Sequence, residues 1–264
     1  MNVNATNANA TNMKKIGIVG GVAWPSTVEY YSELCRRSER WHLDRNPHSV
    51  PSIPEISIES LDHSKAIAYL GRDDNENSWR QFDDYHRAAL RRLAASGADF
   101  ALIASNSAHH RFAPIVYGIE IPVISILDAI AKECAKVKAC EVLILGTALV
   151  MRSKRFPEGF AKYGIEASGP HDDALRATAV DLIGEVQLGN IEGAAARLGT
   201  IAKLSFKQQF GAQPVVCLAC TELPLAFPDH KTLATFNYDG VLYINSSAAH
   251  INAAFDFAID RARQ

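Results

Sequence analysis

A chain of 264 residues, 48% hydrophobic and 21% charged with a formal net charge of -2, has the composition of an ordinary soluble globular protein. It lacks the basic excess of a nucleic-acid binder, and no apolar run approaches the ~18 residues needed to cross a bilayer, so neither nucleic acid nor membrane is expected as a partner. The length admits one large α/β domain or two smaller ones.

The opening MNVNATNANATN, residues 1–12, has neither the charged start nor the apolar core of a signal peptide and reads as a low-complexity tail, with a cytoplasmic location expected. The first strand is KIGIVGG (15–21). Its Gly-Gly lacks the companions of a dinucleotide fingerprint or a phosphate loop. It is read either as a tight turn or as small residues that let a substrate approach the backbone, with Val22 a candidate contact. A helix follows over 25–41, opened by Pro25. IPEISIES (53–60) is the next strand, and His63 just beyond it is a candidate cation for a substrate carboxylate or an ordinary surface group.

Residues 76–97 have helical spacing and end on Gly97, a natural C-cap, before the strand ADFALIA (98–104). That strand stops in Ser105, Asn106, Ser107, His109 and His110. Each histidine is read either as a proton carrier or as a cap or surface residue. IPVISI (121–126), CEVLILG (140–146), QPVVCLA (213–219) and VLYIN (241–245) complete the strands, with Thr147 directly after the fifth. Arg176, in DDALRATAV, is a second candidate cation or a solvated charge.

Strands alternating with amphipathic helices are the pattern of βαβ units around parallel sheets. Two Gly-Ala-led strands, GADFALIASNS (97–107) and GAQPVVCLACTE (211–222), repeat one another at about half the chain length. The expected fold is therefore α/β, with two pseudo-symmetric parallel-sheet domains and an active site in the cleft between them. The boundaries are 13–126 plus 234–264 for the first domain and 127–233 for the second, with VLYIN and the last helix returning to the first.

The chain has five cysteines, at 35, 134, 140, 217 and 220, an odd set without a secretory signal, so free thiols are expected. Cys217 and Cys220 spell CxxC without a second ligand pair, and no metal is expected. Three residues apart on a strand, they point to opposite faces, one into the core and one at the strand end. A helix start after Cys220 would place positive N–H dipoles near its sulfur and lower its pKa, which fits a catalytic thiol facing Ser105. Glu222 either orients that thiol or is a first-turn acid. Hydroxyls and amides at strand ends, from Asn106, Ser107, Thr147 and Thr221, suit a ligand with more than one carboxylate.

These residues carry a resemblance to a known family. IGIVGGVAWPSTVEYY, ADFALIASNSAH, LILGT and LACTELP resemble, over nearly the whole chain, the motifs of the aspartate/glutamate racemase superfamily, the cofactor-independent amino-acid racemases. GGVAWPST is similar to the Gly-Gly-Met-Ser-Trp-Glu-Ser-Thr of the branch acting on aspartate and glutamate. The resemblance implies no pyridoxal phosphate or other cofactor, a homodimer, and a cysteine on each side of the substrate α-carbon. It assigns Cys220 as the acid/base of the second domain, and Asn106, Ser107, Thr147 and Thr221 as carboxylate holders. Arg176 matches a position that is often Lys in the family, and His63 lies near one that can be Arg.

The first-domain cysteine, however, is Ser105. A thiol titrates near ~8.5, whereas an unassisted hydroxyl is far too weak an acid to give a useful alkoxide population. Symmetric two-thiol chemistry is thus excluded; branch members with threonine here imply a one-sided preference for the L enantiomer. The leading expectation is a racemase or epimerase of an acidic amino acid, aspartate or glutamate. The alternatives are a one-cysteine decarboxylase of malonate-like substrates and a dicarboxylate-binding homologue that has lost its chemistry.

Overall fold

The computed structural model describes residues 13–72, 74–209 and 214–260; the expected tail of residues 1–12 lies outside them. Strands β1 (Ile16–Gly20), β2 (Ile56–Ser60), β3 (Phe100–Ile103) and β4 (Val123–Ile124) form a parallel sheet in the order β2-β1-β3-β4. Strands β5 (Glu141–Gly146), β6 (Glu166–Ser168), β7 (Val215–Ala219), β8 (Thr235–Tyr238) and β9 (Val241–Asn245) form a second sheet in the order β6-β5-β7-β9-β8. Its pairs are parallel except β8 with β9.

The first four positions of the two sheets have equivalent connectivity: β1 corresponds to β5, β2 to β6, β3 to β7 and β4 to β9. In each, the strand that starts the unit sits between its neighbours, so the chain leaves it once in each direction. Loops beyond the carboxyl ends therefore separate there and leave a crevice. β1, β3 and β7 are almost wholly buried, as expected for parallel strands covered on both faces.

The C-terminal segment divides. β9, expected to return to the first unit, is hydrogen-bonded to β7 in the second sheet. Asp239 (φ 48°) and Gly240 (φ 76°) form the two-residue loop between Tyr238 and Val241, the left-handed pair that a tight hairpin requires. The helix Ser246–Ile259 then crosses back: Ile251, Ala254 and Ala258 pack with Ile16, Ile18, Tyr30, Leu34 and Phe100 of the first unit. The helix Ile126–Lys136 makes the opposite passage, burying Ile126, Ile130 and Cys134 in the core of the second. Among the described residues no helix is long and apolar enough to cross a membrane.

Candidate active site

A cavity of about 180 Å³ lies where the ends of β1, β3, β5 and β7 converge. The first unit contributes Val22, His63, Ser105, Asn106 and Ser107 to its wall, and the second contributes Thr147, Cys220, Thr221 and Glu222. Most of the residues singled out in the sequence thus meet in one place; Arg176, His109 and His110 do not. The Arg176 guanidinium is held by the Pro170 carbonyl at 2.5 Å and by Asp173 at 2.6 Å, away from the wall. Ala23, Ile67 and Gln187 also line it. Gln187 ends the helix Asp173–Gln187 and carries no sequence signal for such a place.

The Gly-Gly turn after β1 resolves in favour of backbone packing. Gly21 has φ 83°, and a Cβ there would lie 2.1 Å from the Leu61 carbonyl oxygen. Its N–H donates to Thr27 Oγ1 at 2.9 Å, which ties the turn to the first turn of the helix Trp24–Leu43. The missing side chain thus makes room for the chain after β2, not for a ligand. The same turn sets the His63 ring against Val22, whose carbonyl accepts from Nδ1–H.

Ser105 is the N-cap of the short helix Asn106–His109, its Oγ accepting from the Ala108 N–H at 3.4 Å. Thr147 plays the same part for Ala148–Arg152, accepting from Val150 N–H at 3.4 Å. The two halves are joined by polar contacts: Ser107 Oγ lies 3.2 Å from Thr147 Oγ1, and Ser26 Oγ donates to Thr221 Oγ1 at 2.5 Å. Asn106 Nδ2 donates to Ser246 Oγ at 3.0 Å, and Ser246 spends its own hydrogen on the Leu218 carbonyl at 2.7 Å. That fixes the amide orientation, because Ser246 has no second hydrogen to offer, and it leaves Asn106 Oδ1 buried without a protein partner. Asn106 lines the cavity through its other atoms, Oδ1 itself being closed off.

Cys220 is buried, and its Sγ–H donates to Glu222 Oε2 at 2.9 Å. Burial, then the charge and hydrogen bond of Glu222, push the thiol well above its ordinary range. The backbone N–H groups of Glu222 and Leu223 do favour the thiolate, as the sequence suggested. They are outweighed, and the resting sulfur keeps its proton. Glu222 is therefore the thiol's partner, the first of its two sequence readings. Cys217 faces the other way, packed with Cys134 in the core of the second unit, and all five cysteines are free.

His109 does not line the cavity. Its Nδ1–H donates to the Ser105 carbonyl at 2.7 Å and its Nε2 accepts from Ile126 N–H at 3.1 Å, which requires the neutral ring. Burial, then His250, push it down to about 3. His250, held between the Tyr30 hydroxyl and the Ile124 carbonyl, is pushed down to about 4 by burial. Both rings hold structure and stay uncharged at neutral pH. His110 binds Ser153 Oγ at 2.7 Å, also outside the cavity wall.

A pH dependence of stability follows. An unfolded histidine takes a proton below about 6.5, whereas these two resist until about 3 and about 4. Their contribution is complete above pH 6.5 and is lost as pH falls, by about 1.4 kcal/mol per pH unit for each ring. Glu29, raised to about 7, acts in the opposite sense between its unfolded 4.5 and that value, but as one group against two. Urea unfolding at pH 7 and pH 5 is expected to give the lower midpoint at pH 5; equal midpoints would contradict the buried neutral pair.

The family model of the Asp/Glu/Hydantoin racemases matches residues 19–254. Among solved structures, an aspartate racemase homologue from Pyrococcus horikoshii OT3 is 26% identical, covering 96% of this chain and 100% of its own, with a TM-score of 0.71. The aspartate racemase of Picrophilus torridus is 20% identical (93% of this chain, 94% of its own, TM-score 0.65). The glutamate racemase of Campylobacter jejuni subsp. jejuni is also 20% identical (90% and 84%, TM-score 0.56). These last two share the fold. With its paired sheets, the cavity between them and a family match over most of its length, the chain belongs to the Asp/Glu/Hydantoin racemase family of isomerases.

Proposed function

We propose that the protein is a cofactor-independent racemase or epimerase of an acidic amino acid, aspartate or glutamate, in which Cys220 and Glu222 act as one acid/base pair and Ser105 faces them as a weak partner. The observation that carries this reading is the Cys220–Glu222 hydrogen bond at the wall of a cavity that Ser105 also lines. As a base, Cys220 passes its proton to Glu222 and takes the α-proton on sulfur. As an acid, it returns a proton to the same face.

In this reading Asn106, Ser107 and Thr147 hold one carboxylate, and His63 faces the other. Thr221 takes a different part from the one its motif implies, because its hydroxyl already accepts from Ser26 and donates to Glu222 Oε2 at 3.0 Å. The cavity volume suits a small dicarboxylate.

A second reading has a specific observation in its favour. A lone thiol that keeps its proton is what a decarboxylase of malonate-like acids needs to quench an enolate. The racemase family match argues for an amino acid instead. Proton NMR in D2O decides: loss of the α-proton signal from one enantiomer of aspartate or glutamate is expected. Carbon dioxide release from substituted malonates without such loss selects the decarboxylase. Tight binding with neither reaction, at excess protein, would leave only a binding protein.

A further inference from the structure

Behind Cys220 lies a second, smaller cavity of about 120 Å³, lined by Ser26, Glu29, Glu33, Thr221, Glu222 and Lys231 and reaching the surface at the exposed Arg36. Thr221 and Glu222 are shared by the two cavities and form the partition between them. Across that partition runs an unbroken series of hydrogen bonds. Ser26 Oγ–H donates to Thr221 Oγ1 (2.5 Å), Thr221 Oγ1–H donates to Glu222 Oε2 (3.0 Å), and Cys220 Sγ–H donates to the same oxygen (2.9 Å). Both hydroxyls are oriented inward, toward the carboxyl that touches the thiol.

We propose that Ser26, Thr221 and Glu222 are a proton wire between Cys220 and the rear cavity, and that Glu29 is the proton store at its outer end. The proposal rests on the racemase reading for its purpose but not for its geometry. When Cys220 has given its proton to the substrate carbon, Glu222 Oε2 takes the Thr221 hydroxyl proton and hands it to the thiolate, so that S–H forms as O–H breaks. Thr221 is refilled from Ser26, and Ser26 from the Glu29 carboxylic acid through the solvent of the rear cavity that both line. The net change is one proton moved from Glu29 to Cys220, with no change of oxidation state, and solvent at the rear cavity restores Glu29. The reverse series discharges the thiol when it acts as base.

Glu29 is suited to the part. Burial, then Glu33, and more weakly Glu222, raise it to about 7 against the pull of Lys231, so near neutrality it both holds and releases a proton. Arg36, on the same wall, pairs with Glu33 at 3.3 Å. The rear route also explains why the front cavity can be filled by substrate without isolating a thiol that is itself only 5% exposed.

The wire is tested first without turnover. After dilution into D2O, conversion of the Cys220 S–H stretch to S–D is followed by infrared, the band being assigned as the one absent from Cys220→Ala. Glu29→Gln and Ser26→Ala are each expected to slow it at least tenfold, and Glu29→Asp to restore it; wild-type rates in both variants overturn the wire. With aspartate or glutamate as substrate, both variants should lower kcat with KM little changed, and Glu29→Gln should erase an inflection near pH 7 that Glu29→Asp keeps. A purely electrostatic Glu29 would leave Ser26→Ala active, and that result also overturns the proposal. If the wild type exchanges no α-proton of any acidic amino acid, the racemase reading fails, and the infrared rates alone decide the wire.

Discussion

Cys220→Ala is expected to abolish α-proton exchange, with a loss of at least ~10²-fold and up to ~10⁴-fold in turnover, the range that a positioned acid/base supplies. The sulfur belongs to a thiol at the cavity wall whose proton already lies on a hydrogen bond to a carboxyl. The change should not be confused with unfolding. Cysteine to alanine removes a single heavy atom from the edge of the second core, at a cost of about 1 kcal/mol. Glu222 keeps its hydrogen bond from Thr221, so no charge is orphaned. The check is NMR exchange in D2O alongside thermal melts of both proteins. A folded Cys220→Ala that exchanges at the wild-type rate removes Cys220 from the mechanism.

Ser105→Cys is the complementary experiment, and it is expected to increase activity. The wild type should exchange the α-proton of one enantiomer faster than it inverts it, because only one face of the carbon meets a group of workable acidity. A thiol at 105 is a far stronger acid than the hydroxyl it replaces and supplies the second face, so conversion from the slow enantiomer should rise at least ~10-fold. The cost is small: the Ser105 cap on a four-residue helix is a long bond of 3.4 Å, worth about 1 kcal/mol or less. Polarimetry or chiral chromatography run from both enantiomers gives the two rates. An unchanged slow direction would mean that Ser105 does not face the reacting carbon.

Much of this was legible in the chain because strand ends are written plainly. The two Gly-Ala-led strands mark β3 and β7, and their matching positions in the two sheets place Ser105 and Cys220 at equivalent ends. What the pattern could not carry was the neighbourhood of each side chain. Arg176 sits in the right stretch, yet the Pro170 carbonyl and Asp173 lie within reach and hold it. His109 follows the site by four residues but turns inward to brace the Ser105 carbonyl. The thiol pKa was read from the N–H groups alone, and burial with Glu222 reversed the sign. The hairpin β8–β9 had a signal, the Asp239–Gly240 pair, and reading it would have kept β9 from being assigned to the first unit.

The crossing paths of the helices Ile126–Lys136 and Ser246–Ile259 bear on the molecule's ancestry. A gene doubled end to end should yield two halves that can each stand alone, but here the chain cannot be cut into such halves. Severed before residue 126, the first half would lose the cover that the final helix gives to Ile18, Leu34 and Phe100. The second half would carry that helix as an unsatisfied apolar appendage. The repeat is still visible in the strand order, but each half is closed by a helix that follows the last parallel strand of the other.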